Sequence, residues 1–232
     1  MNRQKSIRFS AVTGVLFVLA VLLLLFSAIG STRAALIYSQ TYATAIHTED
    51  IGIALSGTDD PLEAFIAADE EWVPGKHYTG VVSVINTATI DEYVRVIIHK
   101  YWATGANKDT TLDPSLIHLD ISDGWLLDPA ATTPEQIVLY RPHWMASGDS
   151  APVLEGVTID NSVVTTVTRT DNGDGTVTDH YVYDGKRFGI EIEADGVQTH
   201  HPEDAILSAW GVEVEVDEAT ENILPFERGE AQ

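Results

Sequence analysis

The segment DNGDGTVTD, residues 171–179, holds the carboxylates whose spacing comes nearest to a cation site. A helix-loop-helix calcium loop takes oxygen ligands from its first, third and fifth positions, a Gly at the sixth and a Glu at the twelfth. Counted from Asp171, Gly173 and Gly175 fall on the third and fifth positions, so that motif fails. Asn and Gly here suit the positive-φ positions of a hairpin turn. Asp171, Asp174 and Asp179 remain calcium candidates at the surface, and calcium is the only cofactor the residues leave open.

Histidine and paired acids are the other groups that could do chemistry. The chain has eight His, but the two-His, one-Glu helical zinc motif is absent. His201-Pro202-Glu203 lacks a second His, and Pro202 could not sit inside such a helix. His99 shares a strand face with Ile97 and Tyr101, as a packed His does, while His200 and His201 point to different sides. Glu191/Glu193 and Glu213/Glu215 stand at i, i+2, so each pair shares a strand face and could in principle act as acid and base. The solvated outer face of an alternating strand explains both pairs, so no catalytic role is expected of them. With no Cys there is no disulfide, thiolate nucleophile or Cys-based zinc site. No G-x-S-x-G setting and no Gly-rich phosphate loop occurs, so neither catalytic residues nor a zinc site is expected.

Charge narrows the partners. The 232 residues carry a formal net charge of −22. Arg3, Lys5, Arg8 and Arg33 precede position 34 in a segment without Asp or Glu, which leaves 9 cations against 35 acids in the rest, a balance of −26. Such a chain repels phosphate backbones and anionic lipid, because binding either requires Lys and Arg to neutralise negative charge. Nucleic acid is therefore not an expected partner.

The first 34 residues follow the order of a secretory signal: a basic start, an apolar run over 11–30, and small residues at Thr32 and Ala34 around Arg33. Cleavage is expected after Ala34, with Ala35 as the neighbouring alternative. An uncleaved anchor is the rival, since about 20 apolar residues can span a bilayer. The exported part is expected to act outside the cytoplasm, membrane-associated only as its precursor.

Alternation with a period of two dominates beyond residue 35 and predicts half-buried strands. Val212, Val214 and Val216 alternate with Glu213, Glu215 and Asp217, and Ile190 and Ile192 with Glu191 and Glu193. Residues 163–183 predict a hairpin around the 171–175 turn. Strands are predicted at 79–86 and 92–102 on either side of TATID, and shorter ones at 51–55 and 136–140. The 92–102 strand is largely apolar or aromatic on both faces, which places it inside a sandwich or beneath a neighbouring subunit. A short helix is predicted from His201, with Pro202, Glu203 and Asp204 in its first turn. Residues 105–134, rich in Asp, Thr and Pro, read as long connections with brief ordered pieces. Together these predict one all-β domain over 49–225, two packed sheets with one or two short helices, preceded by a signal helix and ending in a frayed tail at 226–232.

Two stretches carry a family likeness. VPGKHYTGVVSVINTATIDEYVRVIIHKYW, from Val73, and IEIEADGVQTHHPEDAILSAWG, from Ile190, resemble the camelysin and TasA-like proteins of Gram-positive bacteria, and STRAALIYSQTY at 31–42 fits the same group. Asp195-Gly196-Val197-Gln198 stands where relatives usually have Asp-Ala-Val-Gln, and Ala88 where a Gly is common.

The resemblance implies a jelly-roll-like β-sandwich, exported through a dedicated type I signal peptidase of the SipW kind, that builds matrix fibres or sits on the cell surface. It implies polymerisation with copies of itself, alongside a possible sister matrix protein, by donor-strand complementation. An exposed sheet edge presents unpaired backbone groups, and an added strand completes them while its alternate side chains fill the core. The donor expected here is 35–48, with Leu36, Tyr38, Tyr42 and Ile46 on one face. Camelysin also carries a metallopeptidase label, which makes a surface metallopeptidase the enzyme alternative. A calcium- or wall-polymer-binding surface module is the third reading.

Overall fold

Among the described residues, period-two alternation becomes two main antiparallel sheets and two separate two-stranded ribbons. The computed structural model describes residues 52–56, 60–67 and 70–226, all within the compact unit that spans 42–232. Ala34, Ala35, Leu36, Tyr38, Tyr42 and Ile46 lie outside the described residues.

In chain order the strands are β1 (Ile53–Leu55), β2 (His77–Asn86), β3 (Glu92–Thr104), β4 (Asn107–Lys108), β5 (Ile117–Ile121), β6 (Leu126–Leu127), β7 (Gln136–Tyr140), β8 (Ser150–Ile159), β9 (Val167–Asp171), β10 (Val177–Tyr181), β11 (Arg187–Gln198), β12 (Val216–Asp217) and β13 (Asn222–Ile223). The first sheet runs β1-β2-β8-β5; the second runs β11-β3-β7-β6, with β4 added to β3. Successive long strands change sheets: β2 is in the first, β3 in the second, β5 in the first, β7 in the second, β8 in the first and β11 in the second. This is the double-sheet arrangement of a jelly-roll-like all-β sandwich.

The predicted strands around TATID thus belong to different sheets, and the turn is a crossing between layers rather than a hairpin. Asn86 holds that crossing. Fully buried, it donates through Nδ2 to Ile90 O at 2.9 Å and Met145 O at 2.8 Å, and its Oδ1 accepts from Ala88 N at 2.9 Å.

The main core lies between the sheets, where Val84, Val94, Val96, Ile98, Val153 and Val157 are all completely buried. Each such side chain contributes about 1.5–3 kcal/mol relative to exposure. A second cluster covers the outer face of the second sheet. There helix α1 (Pro202–Trp210) and the chain to Phe226 lie over Tyr93, Val138, Tyr140 and Val197, with Ile206 and Ile223 buried between. This explains why β3 is apolar on both faces: its own chain covers the outward one.

Several sequence expectations change. β8 is central to the first sheet although Pro152 cannot donate to a ladder. Register shifts in the pairing with β2 near Val82 and Ser83 accommodate it. β5 was hidden in a stretch whose composition reads as loop. Residues 211–215 are not a strand: Val212 and Val214 pack on the second cluster as their alternation requires, but ladder pairing begins only at β12 with β13. Residues 161–164, at the start of the predicted hairpin, form a 3-10 turn capped by Asp160. Phe226 packs against Tyr140, ring centroids 5.0 Å apart, so it belongs to the domain and not to a frayed tail.

Candidate functional site

β11 is the longest edge strand among the described residues. Its Arg187–Gln198 run pairs with β3 residue by residue from Arg187↔Ala103 to Gln198↔Glu92. Among the described residues nothing pairs with its other side. The other edge strands, β1, β5 and β6, have three, five and two residues, against 12 in β11. Long unpaired edges are unusual in natural sheets because they template further strand pairing.

Inward, β11 contributes Ile190 and Ile192 to the main core. Outward, it is tied to β3 by polar pairs. Arg95 reaches its register partner Asp195 through Nη2 at 2.6 Å and Nε at 3.2 Å, and Tyr101 Oη donates to Glu191 Oε1 at 2.9 Å. Burial, and then that carboxylate, push the Tyr101 hydroxyl up to about 12. The Tyr101 ring also covers its partner Gly189, where an added Cβ would stand 2.6 Å from Cζ. An aromatic ring laid over a strand glycine restores the packing a missing side chain forfeits. Glu191 therefore has a structural partner, while Glu193 pairs with Ile97 in the ladder; Glu213 and Glu215 lie off the sheets altogether.

At the far end of β11, the first sheet closes over it through a buried acid. Glu92 is completely buried; Oε1 accepts from Gly52 N at 3.2 Å and Oε2 has no hydrogen-bond partner. Burial pushes its carboxyl above the ordinary 4.5, against the lowering effect of the Gly52 N–H. Gly196 lies against the same carboxylate and against Ile53 of β1. Sequence reading missed Glu92 and Asn86. The available signals were an acid at the mouth of an apolar strand and an Asn closing another.

The predicted hairpin forms, with β9 and β10 paired from Val177↔Asp171 to Tyr181↔Val167. Its three aspartates do not converge. Asp171 accepts from Gly173 N at 2.9 Å, Asp174 from Thr176 N at 2.9 Å, and Asp179 holds Arg169 at 2.8 and 2.9 Å. Each carboxylate serves the turn or the opposite strand, and among the described residues no three His, Asp or Glu side chains form a metal-holding group. His200 and His201 lie edge to face, 4.3 Å apart.

One further arrangement has the order of a nucleophile, base and orienting acid. His77 Nδ1 is 3.0 Å from Thr158 Oγ1, and its Nε2 is 3.5 Å from Asp120 Oδ2. The imidazole and carboxylate are about half exposed on the solvent face of the first sheet, where water competes for every bond. The set is accounted for as cross-strand pairing, since His77 and His118 both register with Thr158.

The fold defines the chain as an all-β, double-sheet sandwich. No protein family, curated protein or solved structure matches it, so the functional reading stands on its own residues.

Proposed function

We propose that this chain is a secreted structural protein, a subunit of an extracellular matrix or cell-surface fibre assembled by donor-strand complementation. What supports the reading is the 12-residue edge of β11, unpaired among the described residues. Residues 35–46 of one copy supply the strand for the next. Leu36, Tyr38, Tyr42 and Ile46 share a face with Gln40 and Thr44, so a strand of that segment presents a largely apolar side to a neighbour while its backbone completes the ladder. Release of this segment by the signal peptidase makes it available outside the cell.

Negative-stain imaging of the chain beginning at Ala35 tests this. Filaments are expected from the native protein and none from the Tyr38→Asp, Tyr42→Asp variant. Normal filaments from the variant refute the donor assignment, and a monomeric native protein refutes the fibre reading. Casein degradation abolished by a chelator would instead support the surface metallopeptidase.

A further inference from the structure

One buried acid holds the point at which the chain enters the sandwich. Glu92, the first residue of β3, is completely buried; its Oε1 accepts from Gly52 N at 3.2 Å and its Oε2 has no hydrogen-bond partner. Gly52 immediately precedes β1. Its carbonyl accepts in turn from Thr87 N at 2.8 Å, Ala88 N at 3.2 Å and Thr87 Oγ1 at 3.1 Å. Beyond it, β1 has only three register pairs with β2, from Ile53↔Asn86 to Leu55↔Val84. A strand this short at a sheet edge opens at a smaller free energy than the core strands, so each contact near Gly52 matters to it.

The surroundings of Glu92 offer little to a charge. β1 brings the Gly52 N–H and the Ile53 side chain, and β11 brings Gly196, on which a Cβ would meet both Ile53 and the Glu92 carboxylate. The chain between β7 and β8 brings Met145, whose backbone exchanges both hydrogen bonds with that of Glu92, at 3.0 and 2.8 Å. None of these groups titrates. Those nearby in the chain that do are engaged elsewhere: Tyr93 donates to Glu221 O, Arg95 holds Asp195, His143 lies against Glu221 O, and Asp149 accepts from Ala146 N. Asp91 before Glu92, and Glu49 and Asp50 before Gly52, carry the same sign as an ionised Glu92. A buried carboxylate with one N–H and no cation is costly to ionise, and burial does push the Glu92 carboxyl above its ordinary 4.5. The least costly route to water is through the short β1.

We infer that Glu92 is a pH-sensitive latch on β1: protonated, it stays buried and holds Gly52 and β1 against β11; ionised, it draws in water and frees β1. The sign follows from burial. The latch is fully closed below pH 4.5 and yields as pH rises through the higher value of the folded carboxyl. Because residues 35–48 join the domain through Gly52, a freed β1 lengthens the reach of the donor segment; that consequence alone rests on the fibre reading.

Amide hydrogen exchange on the chain beginning at Ala35, carrying Tyr38→Asp and Tyr42→Asp to keep it unassembled, tests the latch. Protection factors at Ile53, Ala54 and Leu55 should fall about tenfold or more between pH 4 and pH 7.5, the effect of one pK unit between closed and open forms, while Val157 in β8 keeps its protection. Adding Glu92→Gln should hold 53–55 at their low-pH protection throughout. Protection at 53–55 that ignores pH, that falls equally at Val157, or that falls equally with Glu92→Gln would overturn the latch. The pH comparison without Glu92→Gln decides the matter even where that variant does not fold. A native protein that forms no filaments defeats the fibre reading and leaves the exchange result standing on its own.

Discussion

A Cβ on residue 196 would stand 2.7 Å from Oε2 of Glu92. Gly196 registers with Val94, two residues along β3 from Glu92, and the same Cβ would meet Ile53 Cγ1 at 2.9 Å. The missing side chain is what lets β1 of the first sheet close over β11 of the second, with the buried carboxylate between them. Glycine at 196 is a requirement of close approach.

Gly196→Ala should therefore destabilise, despite Ala's better strand propensity. Overpacking of this kind costs about 1–3 kcal/mol, read as a lower urea midpoint with an unchanged slope. An unchanged midpoint would mean that β1 moves aside freely.

Glu92 sets a pH dependence of unusual sign. Its folded carboxyl is raised above the unfolded 4.5 by burial, so its stabilising share is complete below pH 4.5 and is lost as pH rises through the folded value. Asp160 acts oppositely: the Ser162 backbone N–H, followed by the Ser162 and His118 side chains, holds it at about 2, so its share is present above 3.8 and lost as pH falls toward 2. Glu92→Gln keeps an acceptor for Gly52 N and removes the buried charge. It should be more stable than the native protein at pH 7 by about 1–3 kcal/mol, with the gap closing toward pH 4 in urea titrations. A gap independent of pH would refute the assignment.

Asn86 makes three hydrogen bonds at the layer crossing, two of them buried and the one to Ile90 O part-buried. Asn86→Leu leaves Ile90 O, Met145 O and Ala88 N without that partner, and should lower stability by about 3 kcal/mol or more. Chemical denaturation measures this; a loss below about 1 kcal/mol would show that water replaces the side chain.

The hairpin aspartates should be indifferent to calcium. Asp171, Asp174 and Asp179 are each bonded within the turn or to Arg169, so Asp→Asn changes at all three should leave any calcium-dependent melting shift of the native chain unaltered. A shift present in the native protein and lost in the triple variant would restore the calcium loop.

Local patterns were legible in the sequence because their causes are local. Ile190 and Ile192 against Glu191 and Glu193 mark a strand with one wet face wherever that strand lies, and β7 at Gln136–Tyr140 spans the predicted residues. Asn and Gly in 171–175 specify a reversal through backbone sterics alone, and Pro202 with two acids after it starts a helix. None of these signals names a partner. That β2 and β3 part into different sheets, that β8 runs through the first sheet despite Pro152, and that α1 covers the outer face of β3 all depend on contacts between residues far apart in the chain.

The candidate site divides in the same way. The all-β class, the charge of −22 and the absence of Cys belong to the sequence by itself, as do the alternating faces of β11. Only the tertiary structure decided that β11 stands at an edge among the described residues, that Glu92 is buried against Gly196, and that Trp72, Trp102, Tyr183 and Phe188 pack edge to face. Alternation is a property of one strand. An edge, a buried charge and a ring cluster are properties of what lies beside it, and those neighbours are brought together only when the two sheets close.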